Sequence, residues 1–168
     1  MSAASTRSLS EYQIERFARQ IIVPGVGAEG QMRLCAAEVF VDGHPEGARV
    51  ATQYLRAAGV RVGSATNPPS HLDCVVLAGA GSLPTDRVQL LIDSAPLVAW
   101  YALVEHGIRG GLANASRGLS HLSPPVAAPA AYRITMAHRI AGADVAATAV
   151  AALLGWIEVG DSYEVELA

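Results

Sequence analysis

The chain has 168 residues, 51% hydrophobic and 16% charged, with a formal net charge of -3. That composition suits one globular domain with a continuous core and excludes a disordered or fibrous chain. Its 12 basic residues form no cluster, so nucleic acid is not an expected partner. The opening MSAASTRSLSEY is polar and lacks the apolar stretch of a secretory signal. Residues 1–9 read as a disordered tail and residues 10–168 as a single domain. The longest uncharged apolar run, Val145 to Ile157, is too short for a bilayer of roughly 30 Å, so no membrane span is expected and the cytoplasm is the default compartment. Cys35 and Cys74 are too few and too far apart for a disulfide framework or a thiolate zinc site, and both read as core thiols.

Ser10 and Gln13 have capping-box spacing, and Tyr12, Ile14, Phe17, Ile21 and Ile22 then form an apolar stripe that ends at Pro24. A second helix over about Glu29 to Cys35 leads into a strand at Ala37 to Val41. After Asp42-Gly43-His44-Pro45-Glu46-Gly47, a helix over Ala48 to Ala58 turns Val50, Ala51, Tyr54 and Leu55 inward, and Gly59 closes it. Val60 to Gly63 is a strand stub. Asp73 to Ala78 is a buried strand, followed by a Gly79-Ala80-Gly81-Ser82 turn and a helix over Thr85 to Ser94. Leu97 to Leu103 is the next strand, with Ile108 to Asn114 as its hairpin partner. The three prolines of residues 123 to 131 read as a surface connection. Asp144 then caps an Ala-rich helix to Trp156, and Tyr163 to Leu167 is a terminal strand. The alternation predicts an α/β fold: a three-layer, Rossmann-like mixed sheet with helices on both faces and an N-terminal helical extension.

A mononucleotide fold grips phosphate with backbone N–H groups at a helix N-terminus, in the pattern G-x-G-x-x-G. Gly43, Pro45 and Ala48 occupy the three positions. Pro45 has no N–H and Glu46 adds negative charge, so both oppose phosphate binding. A plain packing turn is the alternative reading of this segment.

ERFARQIIVPGVGAEGQMRL (Glu15 to Leu34) resembles the opening of the ThiF/MoeB/HesA family, relatives of ubiquitin-activating enzymes, whose signature runs approximately RYxRQIxLPxxGxEGQxxL. VFVDGHPEGARVATQYLRAAGV resembles that family's VLVVGAGGLGSPVALYLAAAGV, with Gly43 on the first glycine. DCVVLAGAG is similar to DLVVDATDN, placing Leu77 and Ala80 where the family has two aspartates. The second of these orients magnesium and phosphates, and Ala80 has no carboxylate to offer. The segment in which the family holds its ribose-binding acid, an Arg and a phosphate-contacting Lys is deleted, since only Gly63 to Leu72 separate the matching blocks, and the chain contains no lysine.

The resemblance implies that Arg16, Phe17, Arg19 and Gln20 belong to a dimer interface, and that Arg19 reaches the partner's nucleotide as an arginine finger. The expected role is a catalytically degenerate, noncatalytic member of a homodimer or of a heterodimer with an active ThiF-like subunit. It needs no cofactor of its own and meets ATP and magnesium only through that partner. Arg16 and Arg19 forming ordinary surface ion pairs is the alternative.

Gly43, His44, Gly79, Gly81, Ser82, Glu105, His106 and Arg109 are candidates for a small-molecule site that reuses the same crevice. Residual ATP-dependent adenylyl transfer is a third reading. His44, His71, His106, His121 and His138 are placed in turns or at element ends without metal-ligand spacing. No G-x-S-x-G context surrounds Ser82, Ser120 or Ser123. Trp100 and Trp156 read as core or interface anchors.

Overall fold

A computed structural model describes residues 8–63, 71–79, 83–104, 107–114 and 131–166. Ser10 accepts from the Gln13 N–H while the Gln13 side chain accepts from the Ser10 N–H, so a complete capping box starts α1 (Glu11–Ile21). Of the predicted stripe only Phe17 is buried. Tyr12, Ile14 and Ile22 are exposed, a correction whose cause is that, among the described residues, no element covers that side of α1.

Next come α2 (Gly27–Ala36), β1 (Glu38–Gly43), α3 (Pro45–Ala57), β2 (Arg61–Gly63), β3 (Cys74–Ala78) and α4 (Thr85–Asp93). The chain continues through β4 (Val98–Val104), β5 (Gly107–Ala113), α5 (Ala131–Leu154) and β6 (Ser162–Glu166). The sheet order is β2-β1-β3-β4-β5-β6. Strands β2, β1, β3 and β4 are parallel, and β5 is antiparallel to both β4 and β6. The mixed Rossmann-like sheet is therefore present, with its topological switch point between β1 and β3, where the chain leaves β1 to one side and returns on the other.

Alternation along the strands divides the core in two. Val39, Val76, Ala78, Ala99 and Tyr101 pack with Leu55 of α3 and Ala141, Val145 and Ala149 of α5. Phe40, Val75, Leu77 and Trp100 pack with Leu91 and Ile92 of α4 on the other face. Gly142 lets α5 lie against α3, since a Cβ there would come 2.6 Å from the Gly47 carbonyl oxygen.

Several expectations are corrected. Helix α5 begins at Ala131, so Asp144 lies in its interior and is not its cap. The stretch Thr135–Leu154 is long and apolar enough by length and composition to cross a membrane, longer than the run seen in the sequence; here its Ala137, Ala141, Val145 and Ala149 are core residues. Tyr54 is exposed rather than inward, because Val50, Ala51 and Leu55 fill the buried face of α3. Trp100 is a core residue and Cys74 is fully buried, whereas Trp156 and Cys35 are only partly covered. The connection over 123–130, Ser120, His121 and the segment 64–70 lie outside the described residues.

Candidate functional site

Ligands in open α/β sheets bind beyond the carboxyl ends of the strands at the switch point. Here that point is formed by Asp42-Gly43-His44 at the end of β1 and Ala78-Gly79 at the end of β3. The two strand ends approach closely: a Cβ on Gly43, whose φ is 125°, would overlap the Ala78 carbonyl. Glycine is required at this position because no larger residue fits between the strands.

Two amide donors of this turn, those of Gly43 and His44, are already engaged. The Gly43 N–H donates to Asp42 Oδ1 at 2.8 Å. The His44 N–H donates to the Ala78 carbonyl at 2.6 Å. Pro45, at the first position of α3, has no N–H to give. What a phosphate would need from three successive backbone groups is thus met by a side chain, a carbonyl and a ring.

Side chains also meet at the turn. The His44 and His138 rings stack with centroids 3.5 Å apart and planes 2° from parallel. Tyr101 Oη lies 2.7 Å from His138 Nδ1. Gly47 makes room for that hydroxyl, which a Cβ would overlap, and a Cβ on Gly79 would come 3.2 Å from His138 Cε1. Burial pushes His138 down to about 4, with the neighbouring His44 adding to the effect. Burial also raises the Tyr101 hydroxyl above its ordinary value. At neutral pH, Tyr101 and His138 are therefore an uncharged pair that offers no cation to an incoming phosphate.

The rim carries charge that is already paired. Glu46 accepts from Arg49 at 2.8 Å and from Arg139 at 3.3 Å; these bonds, Arg49's first, lower its carboxyl below the ordinary range. Asp42 is held by Arg87 at 2.9 Å. The family's magnesium and triphosphate do not fit this donor set. Leu77, on one of the two aspartate positions, is fully buried, the carboxylate of Asp42 at the end of β1 is tied to Arg87, and a hard cation needs free oxygen ligands.

Among the residues predicted for a site, Gly43, His44 and Gly79 come together. Arg109 does not join them. It lies on β5, three strand spacings or about 14 Å from β1, and pairs across the sheet with Glu164 at 2.8 Å. Ala80, Gly81, Ser82, Glu105 and His106 lie outside the described residues. His138 and Tyr101 were not anticipated. His138 sits in the interior of α5, a correction to its placement at an element end.

Of the predicted interface residues, Phe17 is buried within the chain, with its ring edge against Gly59. Gln20 Nε2 donates to the Ala57 carbonyl at 3.1 Å. Arg16 is exposed and bonds the Tyr12 hydroxyl. Arg19 is exposed in the last turn of α1 and has no ion-pair partner among the described residues.

No family model matches the chain. It is 45% identical over 53 residues to the adenylyltransferase and sulfurtransferase MOCS3 of Bos taurus, covering 32% of this chain and 12% of that protein. It is 37% identical over 111 residues to the adenylyltransferase and sulfurtransferase uba4 of Pyricularia oryzae, covering 58% and 22%. Against the vegetative HesA protein of Trichormus variabilis it is 45% identical over 53 residues, covering 32% and 20%. The matched part thus spans at most about a fifth of the length of these relatives. The crystal structure of PaaA superposes with a TM-score of 0.62 at 12% identity, covering 99% of this chain and 77% of that one, a likeness of fold. By these matches, up to 58% of the chain is similar in sequence to adenylyltransferases of the MOCS3, uba4 and HesA kind.

Proposed function

We propose that this chain is a catalytically degenerate relative of those adenylyltransferases that acts in the cytoplasm as the noncatalytic dimer partner of an active adenylating subunit. The observation that carries the reading is the engaged state of the Gly43, His44 and Pro45 turn, whose donors serve the chain's own groups. ATP and magnesium then enter its function only through the partner.

The position of Arg19 supports a role in trans. Its neighbour Gln20 bonds the last residue of α3, and α3 runs roughly 18 Å from the crevice to that residue at 1.5 Å per residue. Arg19 is therefore remote from its own switch point and free to meet another subunit. A guanidinium keeps its charge and presents several donors, which suits it to developing charge on a phosphate.

The test is ATP–pyrophosphate exchange by an active ThiF-like subunit from the same genome, with and without this chain. Stimulation by the native chain and its loss with Arg19→Ala are expected. No stimulation would remove the partner role, and equal stimulation by Arg19→Ala would remove the finger.

A second reading, a small-molecule site in the same crevice, draws on His44 Nδ1, a buried atom with no hydrogen-bond partner among the described residues. A thermal-shift screen with ATP, NAD and S-adenosylmethionine decides it, because a ligand at 100 times its Kd stabilises by about 2.7 kcal/mol.

A further inference from the structure

Away from the crevice, a groove of about 300 Å³ opens between the start of α1, the end of α2 and β2. It lies at the amino ends of β1 and β2, where Glu38 pairs with Arg61, whereas the crevice lies at the carboxyl end of β1. Leu9 and Met32 give the groove apolar walls, and Gln13, Cys35 and Arg61 line it with polar groups. Cys35 is only partly covered, so its thiol is reachable from the groove.

The sulfur is fixed from within the chain. Gln31 Nε2 donates to Cys35 Sγ at 3.5 Å and to the Ala58 carbonyl at 2.9 Å. A Cβ on Gly59 would lie 3.1 Å from the sulfur and 2.9 Å from Gln31 Nε2, so the glycine leaves both in place. Gln31 is fully buried, and its Oε1 has no hydrogen-bond partner among the described residues. A buried acceptor without a donor is uncommon, and this one belongs to the side chain that touches the thiol. Arg61 brings positive charge to the same groove. Its Nη2 donates to the Ala36 carbonyl at 2.8 Å and lies 3.0 Å from Glu38. A guanidinium has several N–H donors in a planar fork, so the contacts of one nitrogen leave others for a carboxylate, and the side chain is 62% exposed.

We propose that this groove is a thiol-exchange site for a small disulfide that carries carboxylate groups, with Cys35 as the nucleophile and Arg61 as the residue that selects the acid. Cys35, having given its proton to water, attacks one sulfur of the incoming disulfide. A bond forms between Cys35 and that sulfur, the ligand's own S–S bond breaks, and the other half leaves as a thiolate that takes up a proton. Cys35 is thereby oxidised to a mixed disulfide and the released half is reduced. The site is independent of the His44 turn and of any pairing with an active subunit.

Oxidised glutathione and the uncharged hydroxyethyl disulfide are the probes, with the adduct on Cys35 followed in time by peptide mapping and mass spectrometry. Each rate on the native chain is divided by the rate on the urea-unfolded chain, which cancels the intrinsic reactivity of the probe. On that scale the native chain should favour glutathione by at least about ten-fold, the size of one charge-assisted contact, and its rate should saturate as glutathione rises. Arg61→Gln should abolish the preference and leave the rate with the uncharged probe unchanged, whereas Arg61→Lys, which keeps the charge, should retain it. Circular dichroism confirms that each variant folds. Equal normalised rates for the two probes on the native chain would overturn the proposal. So would a preference that survives Arg61→Gln, or an Arg61→Lys chain that behaves like Arg61→Gln.

Discussion

The imidazole of His44 lies flat on that of His138, 94 positions away in the chain, with 3.5 Å between ring centroids. This contact joins the first strand-to-helix turn to the longest helix at the point where a Rossmann-like sheet is expected to open. It sets two rings and a tyrosine hydroxyl at the place where such a sheet holds its ligand.

The stack makes stability depend on pH. His138 is pushed down to about 4 from an ordinary 6.5, so the unfolded state binds its proton first. The contribution is fully present above pH 6.5 and is lost as the pH falls from there towards 4. Urea unfolding of the native chain and of His138→Gln should show a difference in stability that shrinks by roughly 1–3 kcal/mol across that interval. A constant difference would mean that His138 titrates normally.

Gly47 is predicted to be irreplaceable because the Tyr101 hydroxyl occupies the place of its Cβ. Gly47→Ala should cost about 1–3 kcal/mol, the usual range for overpacking. Adding Tyr101→Phe removes the obstructing oxygen, so the double variant should be more stable than the sum of the single losses. Additive losses in denaturant unfolding would show that the two groups do not compete for space.

The two thiols should differ in reactivity. Cys74 is fully buried and pushed up to about 12 by desolvation, whereas Cys35 is only partly covered. Iodoacetamide applied to the native protein should modify Cys35 first and reach Cys74 only on unfolding. Peptide mapping by mass spectrometry reads this, and early labelling of Cys74 would contradict the packing.

The frame of the fold was legible in the sequence wherever a local signal fixed it. Ser10 and Gln13 announced α1 through a two-way cap, and Gly59 marked the end of α3 through its positive φ of 96°. The strands at 74–78 and 98–104 showed as continuous apolar runs because both faces are covered. The start of α5 was hidden because its Ala-rich sequence lacks helical contrast, and Asp144 imitated a cap. The site was legible only in part. Pro45 and Glu46 signalled a damaged phosphate turn, but the stack of His44 on His138 and the role of Tyr101 are tertiary contacts with no local pattern. The exposed side of α1 was misread because amphipathic spacing does not tell which apolar residues will find a neighbour.

The most direct test of the central claim is a calorimetric titration of the isolated chain with ATP in the presence of magnesium. With the Gly43 and His44 amides engaged and the His44 and His138 rings stacked behind them, no saturable binding should appear up to millimolar nucleotide. Saturable, magnesium-dependent binding that Gly43 and His44 report by chemical-shift change would contradict the account.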